Sequence, residues 1–304
     1  MMGLPFDRPG QFFRGNLHAH STNSDGRLSP VELVNAYRQE GYDFLVISDH
    51  FMEHYGFAVT DCRALRDETF TTILGAELHG PSLANGGLWH ILAAGLPLDF
   101  APRAWDESGP EIAARAAAAG AFIGLAHPAW NGVTPSDALS VECAHAIEIH
   151  NEGHTNDSDR GNGWYLADLL TTAGRRINVF AADDAHFGDR ADRFGGWVMV
   201  RAESREPEAL LAALKAGHFY SSTGPEIAGI SIDAEQIRIS CSPVDRILVG
   251  GRGSTCRWMH GVGLTQASFP LGPFGGAFCR VTIVDADGKR AWSNPIWLEE
   301  ATLG

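Results

Sequence analysis

The sequence predicts an α/β protein, a mostly parallel (β/α) barrel followed by a small β-sandwich-like domain. Three observations carry that prediction. Short apolar runs that end in ionisable residues alternate with helical patterns, the arrangement of parallel strands joined by helices. Eleven of the 13 histidines fall between His18 and His186, many of them at the ends of those runs. Reactive side chains at the carboxyl ends of successive strands are how a (β/α) barrel carries its chemistry. After about residue 224 the texture changes to period-two alternation between turn signals, which is antiparallel β structure.

The elements follow in order. "GNLHAHSTNSDGRLSP" (15–30) puts His18 and His20 two apart at a strand end, so both point to one face, and Asp25 follows in a run of turn residues. Two imidazoles delivered from one rigid element suit a metal ion, although the same short pattern also fits a structural pair. "SPVELVNAYRQEGY" reads as a helix with Ser29 as N-cap, Pro30 at its first position and Gly41 as stop. "FLVISDH" ends in Asp49 and His50, and "TTILGAELHG" in Glu77 and His79. "GLWHILAAGL" carries His90, and after the alanine-rich helix "EIAARAAAAGAF" the run "AFIGLAHP" ends in His127. "AIEIHNE" offers Glu148, His150 and Glu152, and "INVFAADDAH" ends in Asp183, Asp184 and His186. "WYLADLLTTAGRR" and "EPEALLAALKAGH" are further helices, with Gly174 and Gly217 as breaks. The division expected is a barrel over 1–224 and an all-β domain over 225–304, whose role is structural or to cover the barrel.

Composition narrows the function. With 44% hydrophobic and 20% charged residues the 304-residue chain reads as an ordinary globular protein. A formal net charge of −14 argues against a nucleic-acid duplex as partner, but bound cations would reverse the local field and admit a small anion. The five cysteines are scattered without a CxxC pair, which fits reduced thiols and a cytoplasmic location. The amino terminus lacks a signal-peptide pattern and no apolar run is long enough to span a membrane, so no membrane partner is expected. Neither GxSxG, nor a lysine-bearing phosphate loop, nor GxGxxG after the first strand is present.

The ordered set His18-x-His20, Asp25, Asp49-His50, Glu77, His90, His127-Pro128 and Asp184-x-His186 resembles the PHP (polymerase and histidinol phosphatase) superfamily of metal-dependent phosphoesterases, over about residues 14–200. "AHPAWNGVTP", "IEIHNEG", "AADDAHF", "GWVMVRA", "AGHFYSSTGPEI" and "DADGKRAWSNPI" further resemble its CehA/McbA-like branch, some members of which are similar to aryl-carbamate hydrolases. The resemblance implies a distorted (β/α)7 TIM-like barrel of PHP type and two or three divalent metal ions. His18, His20, Glu77 and Asp184 would hold the first, Asp25, His50 and His186 the second, and Glu77, His90 and His127 the third, with Glu77 bridging. Asp25 stands where relatives often have histidine, which makes the second site richer in oxygen. The mixed donor set suits manganese, zinc or iron without choosing among them. One departure stands out. The arginine that often follows the His-Pro in phosphatases is absent, and Ala129, Trp130 and Asn131 stand there instead. Trp130 could face an aromatic group, Asn131 lies beside it, and Arg160 and Arg193 are candidates to replace the missing clamp.

Other residues have roles open to two readings. His79 shares a strand face with Glu77 and is a candidate general acid or a hydrogen-bonded support. His150 and Asn151 are candidates for a pocket role, and Asp49 for orienting a ligand histidine or capping the next segment. His54, His145, His154, His218 and His260 read as ordinary. The Ser221-Ser222-Thr223-Gly224 run suggests a domain junction with no chemistry of its own. The expected function is a metal-dependent hydrolase acting on a small anionic or aromatic ester. A phosphate mono- or diester is the leading substrate class, a carboxylic ester or carbamate the alternative, and a non-catalytic metal-binding module the third. The oligomeric state is not indicated.

Overall fold

A computed structural model describes residues 4–298. The outermost residues of both expected domains, 1–3 and 299–304, lie outside the described residues. The barrel strands are β1 (Gln11–Asn16), β2 (Phe44–Ile47), β3 (His50–Phe51), β4 (Thr71–Gly80), β5 (Trp89–Ala94), β6 (Phe122–Leu125), β7 (Ala146–Asn151) and β8 (Asn178–Ala182). Helices α1 (Pro30–Gln39), α2 (Gly109–Ala118), α3 (Pro128–Asn131), α4 (Pro135–Ser140), α5 (Glu152–Ser158) and α6 (Trp164–Thr172) connect them. Then come β9 (Trp197–Ala202), α7 (Pro207–Lys215), β10 (Phe219–Ser222), and a block of β11 (Ile227–Ile232), β12 (Gln236–Gly251), β13 (Cys256–Pro270), β14 (Phe278–Val284), β15 (Arg290–Ser293) and β16 (Ile296–Trp297).

Local sequence explains the helix ends. Ser29 accepts from the backbone N–H of Glu32 while Glu32 bonds back to Ser29, and Ser108–Glu111 and Thr134–Asp137 repeat this reciprocal cap. Proline stands in the first turn of each of these helices, where its missing N–H costs nothing. Gly174 and Gly217 have φ of +90° and +76° just past α6 and α7, a backbone conformation that favours glycine.

The strands form one sheet whose path runs β11-β12-β14-β15-β10-β9-β1-β2-β4-β5-β6-β7-β8, with β13 paired to β12, β16 to β14 and β3 to β4. The run β1-β2-β4 is parallel, and so is β6-β7-β8, but β5 is antiparallel to both neighbours. The expectation of a mostly parallel arrangement holds for these strands apart from β5. Only residues 81–88 join β4 to β5, too few for a crossover, so the chain turns straight back. The ends of the barrel meet at one bridge, Ala19 with Ala185, supported by His20 N–H to Ala185 O (2.9 Å) and Asp184 N–H to His18 O (2.9 Å). A full closing ladder does not form. Below the bridge, Ser221 Oγ accepts from Ala181 N–H (3.1 Å) and Asn294 Oδ1 from Val179 N–H (2.9 Å), so side chains satisfy the free edge of β8.

Four apolar clusters hold the molecule. Phe44, Phe122, Phe180 and Val198 pack inside the barrel with Leu210 and Leu214 of α7. Since Lys215 Nζ bonds Gly120 O just before β6, α7 plugs the end of the barrel where the strands begin. A second cluster lies under α2, α4 and α6, and a third under α1. The fourth fills the C-terminal block with Ile237, Ile247, Val249, Val281 and Ile283. That block continues the barrel sheet, because β15 pairs with β10 through Tyr220–Ser293 and Ser221–Trp292. All five cysteines are free. Among the described residues no helix is long and apolar enough to cross a membrane.

Candidate metal centre

Past a bend at Leu17, the side chains of His18 and His20 are fully buried with ring centroids 5.2 Å apart. Ala19 between them faces the α1 cluster. The turn after them is held by Asp49, which accepts from Ser21 N–H, Ser21 Oγ and Ser24 Oγ, each at 2.7 Å, and from Thr60 Oγ1. Asp49 therefore fixes the loop that carries Asp25 rather than orienting a histidine. Gly26 closes that loop so tightly that a Cβ would come within 2.2 Å of the His20 carbonyl oxygen.

Glu77, on β4, is the hub, with its side chain 1% exposed. His50 Nδ1 lies 2.7 Å from it, His90 Nδ1 2.8 Å and His127 Nε2 3.1 Å. His18, His20 and His79 surround it at 3.7 Å. Asp184, just past β8, lies 3.1 Å from Nε2 of both His18 and His20. Asp25 Oδ1 lies 3.3 Å from His186 Nε2, 3.4 Å from His50 Nε2 and 3.9 Å from His20 Nδ1. Burial alone would raise the Glu77 carboxyl, but His90 and His50 beside it hold it well below its ordinary value. Burial likewise opposes the charge on Asp184, and His18 and His20 outweigh it. Burial pushes His79 down to about 3.

These side chains form overlapping clusters whose donor atoms lie within 4.8 Å of one another: His20, Asp25, His50 and His186; His18, His127 and Asp184; and Glu77, His90 and His127. Glu77 also joins His18 with His20, and His50 with His79. Buried donor atoms inside them lack a hydrogen-bond partner: His18 Nε2, His20 Nδ1, Glu77 Oε2, His79 Nδ1 and His127 Nδ1. An unmet buried polar atom costs roughly 1–3 kcal/mol. Imidazole nitrogens and carboxylate oxygens that converge on shared points are the donors divalent cations take, so the residues present fit the metal ions that the resemblance implies. His127 (φ +23°) and Asp184 (φ +58°) occupy the left-handed region as non-glycine residues, strain that clusters at functional sites.

All nine expected ligands meet here, and His79 joins them, its Nε2 2.9 Å from His50 Nδ1. Asn151 is also present, donating from Nδ2 to Glu148 (3.1 Å) and Asp184 (3.2 Å). Trp130, 38% exposed, stands edge-on to His90 and His127. The adjacent Asn131 accepts from Asn85 through its carbonyl oxygen. His150 is not brought in. A register shift between Glu148 and His150 turns it toward Glu152 and Trp292. Arg160 and Arg193 are exposed, and Arg193 lies over the Phe187 ring and bonds Arg190 O, which corrects the idea that it clamps the site.

The sequence reading gave two further residues no role in the site. Glu148 is fully buried, 3.2 Å from His18 Nδ1, and accepts from the His127 backbone N–H at 2.6 Å, so it orients two candidate ligands. His154, expected to be ordinary, lies 3.3 Å from Asp184 and stacks on Trp130 at 4.5 Å and 14°. The signal was available in the helix period. Asn151 caps α5 by accepting from His154 N–H, and three residues on the helix returns to the same face.

A crystal structure of a two-domain protein from Bacteroides vulgatus, containing a predicted PHP-like metal-dependent phosphoesterase, superposes with a TM-score of 0.54 and 14% identity, covering 95% of this chain and 97% of that one. The chain has a PHP-like fold. An amidohydrolase from Chromobacterium violaceum with bound sulfate and no metal matches at TM-score 0.42 and 13% identity, over 59% of this chain and 90% of its own. A lesion-specific endonuclease from Pyrococcus furiosus matches at TM-score 0.42 and 17% identity, over 67% of this chain and 56% of its own. No protein-family model and no curated protein matches the sequence. Most of the candidate ligands sit near strand ends or in the loops that follow them, with Glu77 inside β4 and Asp25 in the turn after β1.

Proposed function

We propose that this chain is a metal-dependent hydrolase of the PHP type that cleaves a phosphate mono- or diester. The observation that carries the reading is the Glu77–Asp184 pair, two buried carboxylates ringed by imidazoles with unmet lone pairs. Two or three cations held there would lower the pKa of water and offset charge developing on the substrate. The chain's own residues do the rest. Glu77 stands between the clusters, Glu148 and Asn151 fix His18 and Asp184, and Asp49 and Asp183 brace the loops. His79 is placed to hydrogen-bond a substrate oxygen, and Trp130 with His154 forms an aromatic wall at the mouth.

That wall favours a second reading, a carboxylic ester or carbamate with an aryl group. Among the described residues no arginine or lysine forms an ion pair with a candidate ligand. The branch resemblance points the same way. The deciding experiment is hydrolysis of an aryl phosphate, an aryl phosphodiester, an aryl acetate and an aryl carbamate sharing one leaving group, by manganese- or zinc-loaded protein. Faster release from the phosphates is expected. Release mainly from acetate or carbamate transfers the site to carbonyl chemistry. Asp184→Ala should lose metal and turnover together, and full activity in that variant overturns both readings.

A further inference from the structure

His150 lines a separate cleft of about 380 Å³ between the barrel and the C-terminal block, within the size range of small-molecule sites. The barrel contributes His150, Glu152 and Trp164, and the block contributes Lys289, Arg290 and Trp292. Its wall is aromatic. Trp292 lies 6.1 Å from His150 with 31° between the planes, and 6.3 Å from Trp164.

The unmet groups here are donors. The indole N–H of Trp164 is buried with no hydrogen-bond partner. Lys289 and Arg290 are consecutive and exposed, and neither side chain has a hydrogen-bond or ion-pair partner among the described residues. Glu152 is engaged by His150 at 2.9 Å and by Asn156 at 2.9 Å and feels the charge of Lys289, and Asp159 is exposed to solvent. In a chain of net charge −14, two adjacent cations without a hydrogen-bonded partner among the described residues, beside an aromatic wall, point to an acceptor from outside.

The cationic turn is also fixed in place. Thr223 N–H donates to Arg290 O at 2.8 Å, and Thr223 Oγ1 accepts from Arg290 N–H at 2.8 Å. Asp285 Oδ1 accepts from Lys289 N–H at 2.9 Å. Ser222 Oγ accepts from Gly224 N–H and donates to Pro225 O, while Ser221 ties the same strand to β8. The Ser221–Gly224 run thus positions the wall of a cleft that the metal chemistry does not use.

We infer that this cleft binds a small flat anion, an aromatic ring carrying a carboxylate or phosphate. The ring packs on Trp292 and His150, and Lys289, Arg290 and the Trp164 N–H receive the acid group. The site does not depend on the metal centre. Calorimetric titration of the full chain with naphthoate, which no esterase consumes, tests it. One site is expected, unchanged by chelation of metals and in His18→Ala. The Lys289→Gln/Arg290→Gln double variant should weaken binding roughly tenfold or more, and Trp164→Phe by a smaller factor. Inorganic phosphate alone and naphthol alone should each bind at least about tenfold more weakly than naphthoate. The inference falls if naphthoate does not bind, if the double variant binds like the parent, if binding disappears with the metals, or if naphthol binds as tightly.

Discussion

The inner shell of the candidate metal centre and the core of the C-terminal block are both buried and chemically opposite. Around Glu77 the buried groups are His18, His20, Glu148 and Asp184; around Ile247 they are Ile237, Val249, Val281 and Ile283. Burying apolar surface stabilises a fold at about 25 cal/mol per Å². Burying polar groups costs stability unless each finds a partner. The block therefore needs only period-two alternation to hold together. The centre needs supports: Asp49 holds one loop, and Asp183, pushed up to about 6 chiefly by burial, accepts from Tyr37, Phe194, Gly195 and Gly196. One sheet runs through both regions, so the difference lies in what the side chains must hold and not in the scaffold.

Substitutions can break the comparison from either side. Glu77→Gln removes the hub that faces every cluster. Metal content measured after gel filtration should fall close to zero, and turnover of the preferred aryl ester should drop on the order of 10²–10³-fold or more. Thermal stability measured on chelated protein should fall, because the imidazoles that hold the Glu77 carboxyl below its ordinary value lose their charged partner. Ile247→Ala should cost roughly 2–5 kcal/mol in denaturant unfolding and leave metal content per folded protein unchanged. A fall in metal content with Ile247→Ala would mean that the block supports the centre through the β10–β15 pairing.

Much of this was readable in the sequence wherever spacing maps directly onto geometry. His18-x-His20 shares a face because strands have period two, and the reciprocal cap at Ser29 and Glu32 follows from a Ser-x-x-Glu pattern. What stayed hidden depended on tertiary detail. The shift between Glu148 and His150 depends on pairing with β8, and it reverses which of two neighbouring side chains faces the candidate metal centre. His154 reaches Asp184 only because α5 starts at the rim of the site. The reversal of β5 follows from the length of one loop, which the alternation of apolar runs does not reveal. The joining of β15 to β10 could not be foreseen from texture, since both halves of the sequence look self-contained.

Glu148 offers the finest test of the contrast, because it touches ligands without belonging to a metal cluster. Its Oε1 faces His18 Nδ1 and its Oε2 holds the His127 backbone N–H, so it fixes one ring and one strained backbone. Glu148→Gln keeps the shape and most hydrogen bonds but removes the charge that favours the His18 tautomer protonated at Nδ1, the one leaving Nε2 free for a metal. Metal affinity, read by competition with a chromogenic chelator, should weaken about 10–100-fold, and activity should return at saturating metal. Glu148→Asp keeps the charge and shortens the reach, so it should fall between the two. If Glu148→Gln binds metal like the parent, the carboxylate is only a buried structural group. If activity stays low at saturating metal, Glu148 acts on substrate rather than through His18, and the line between support and chemistry in this centre moves inward by one residue.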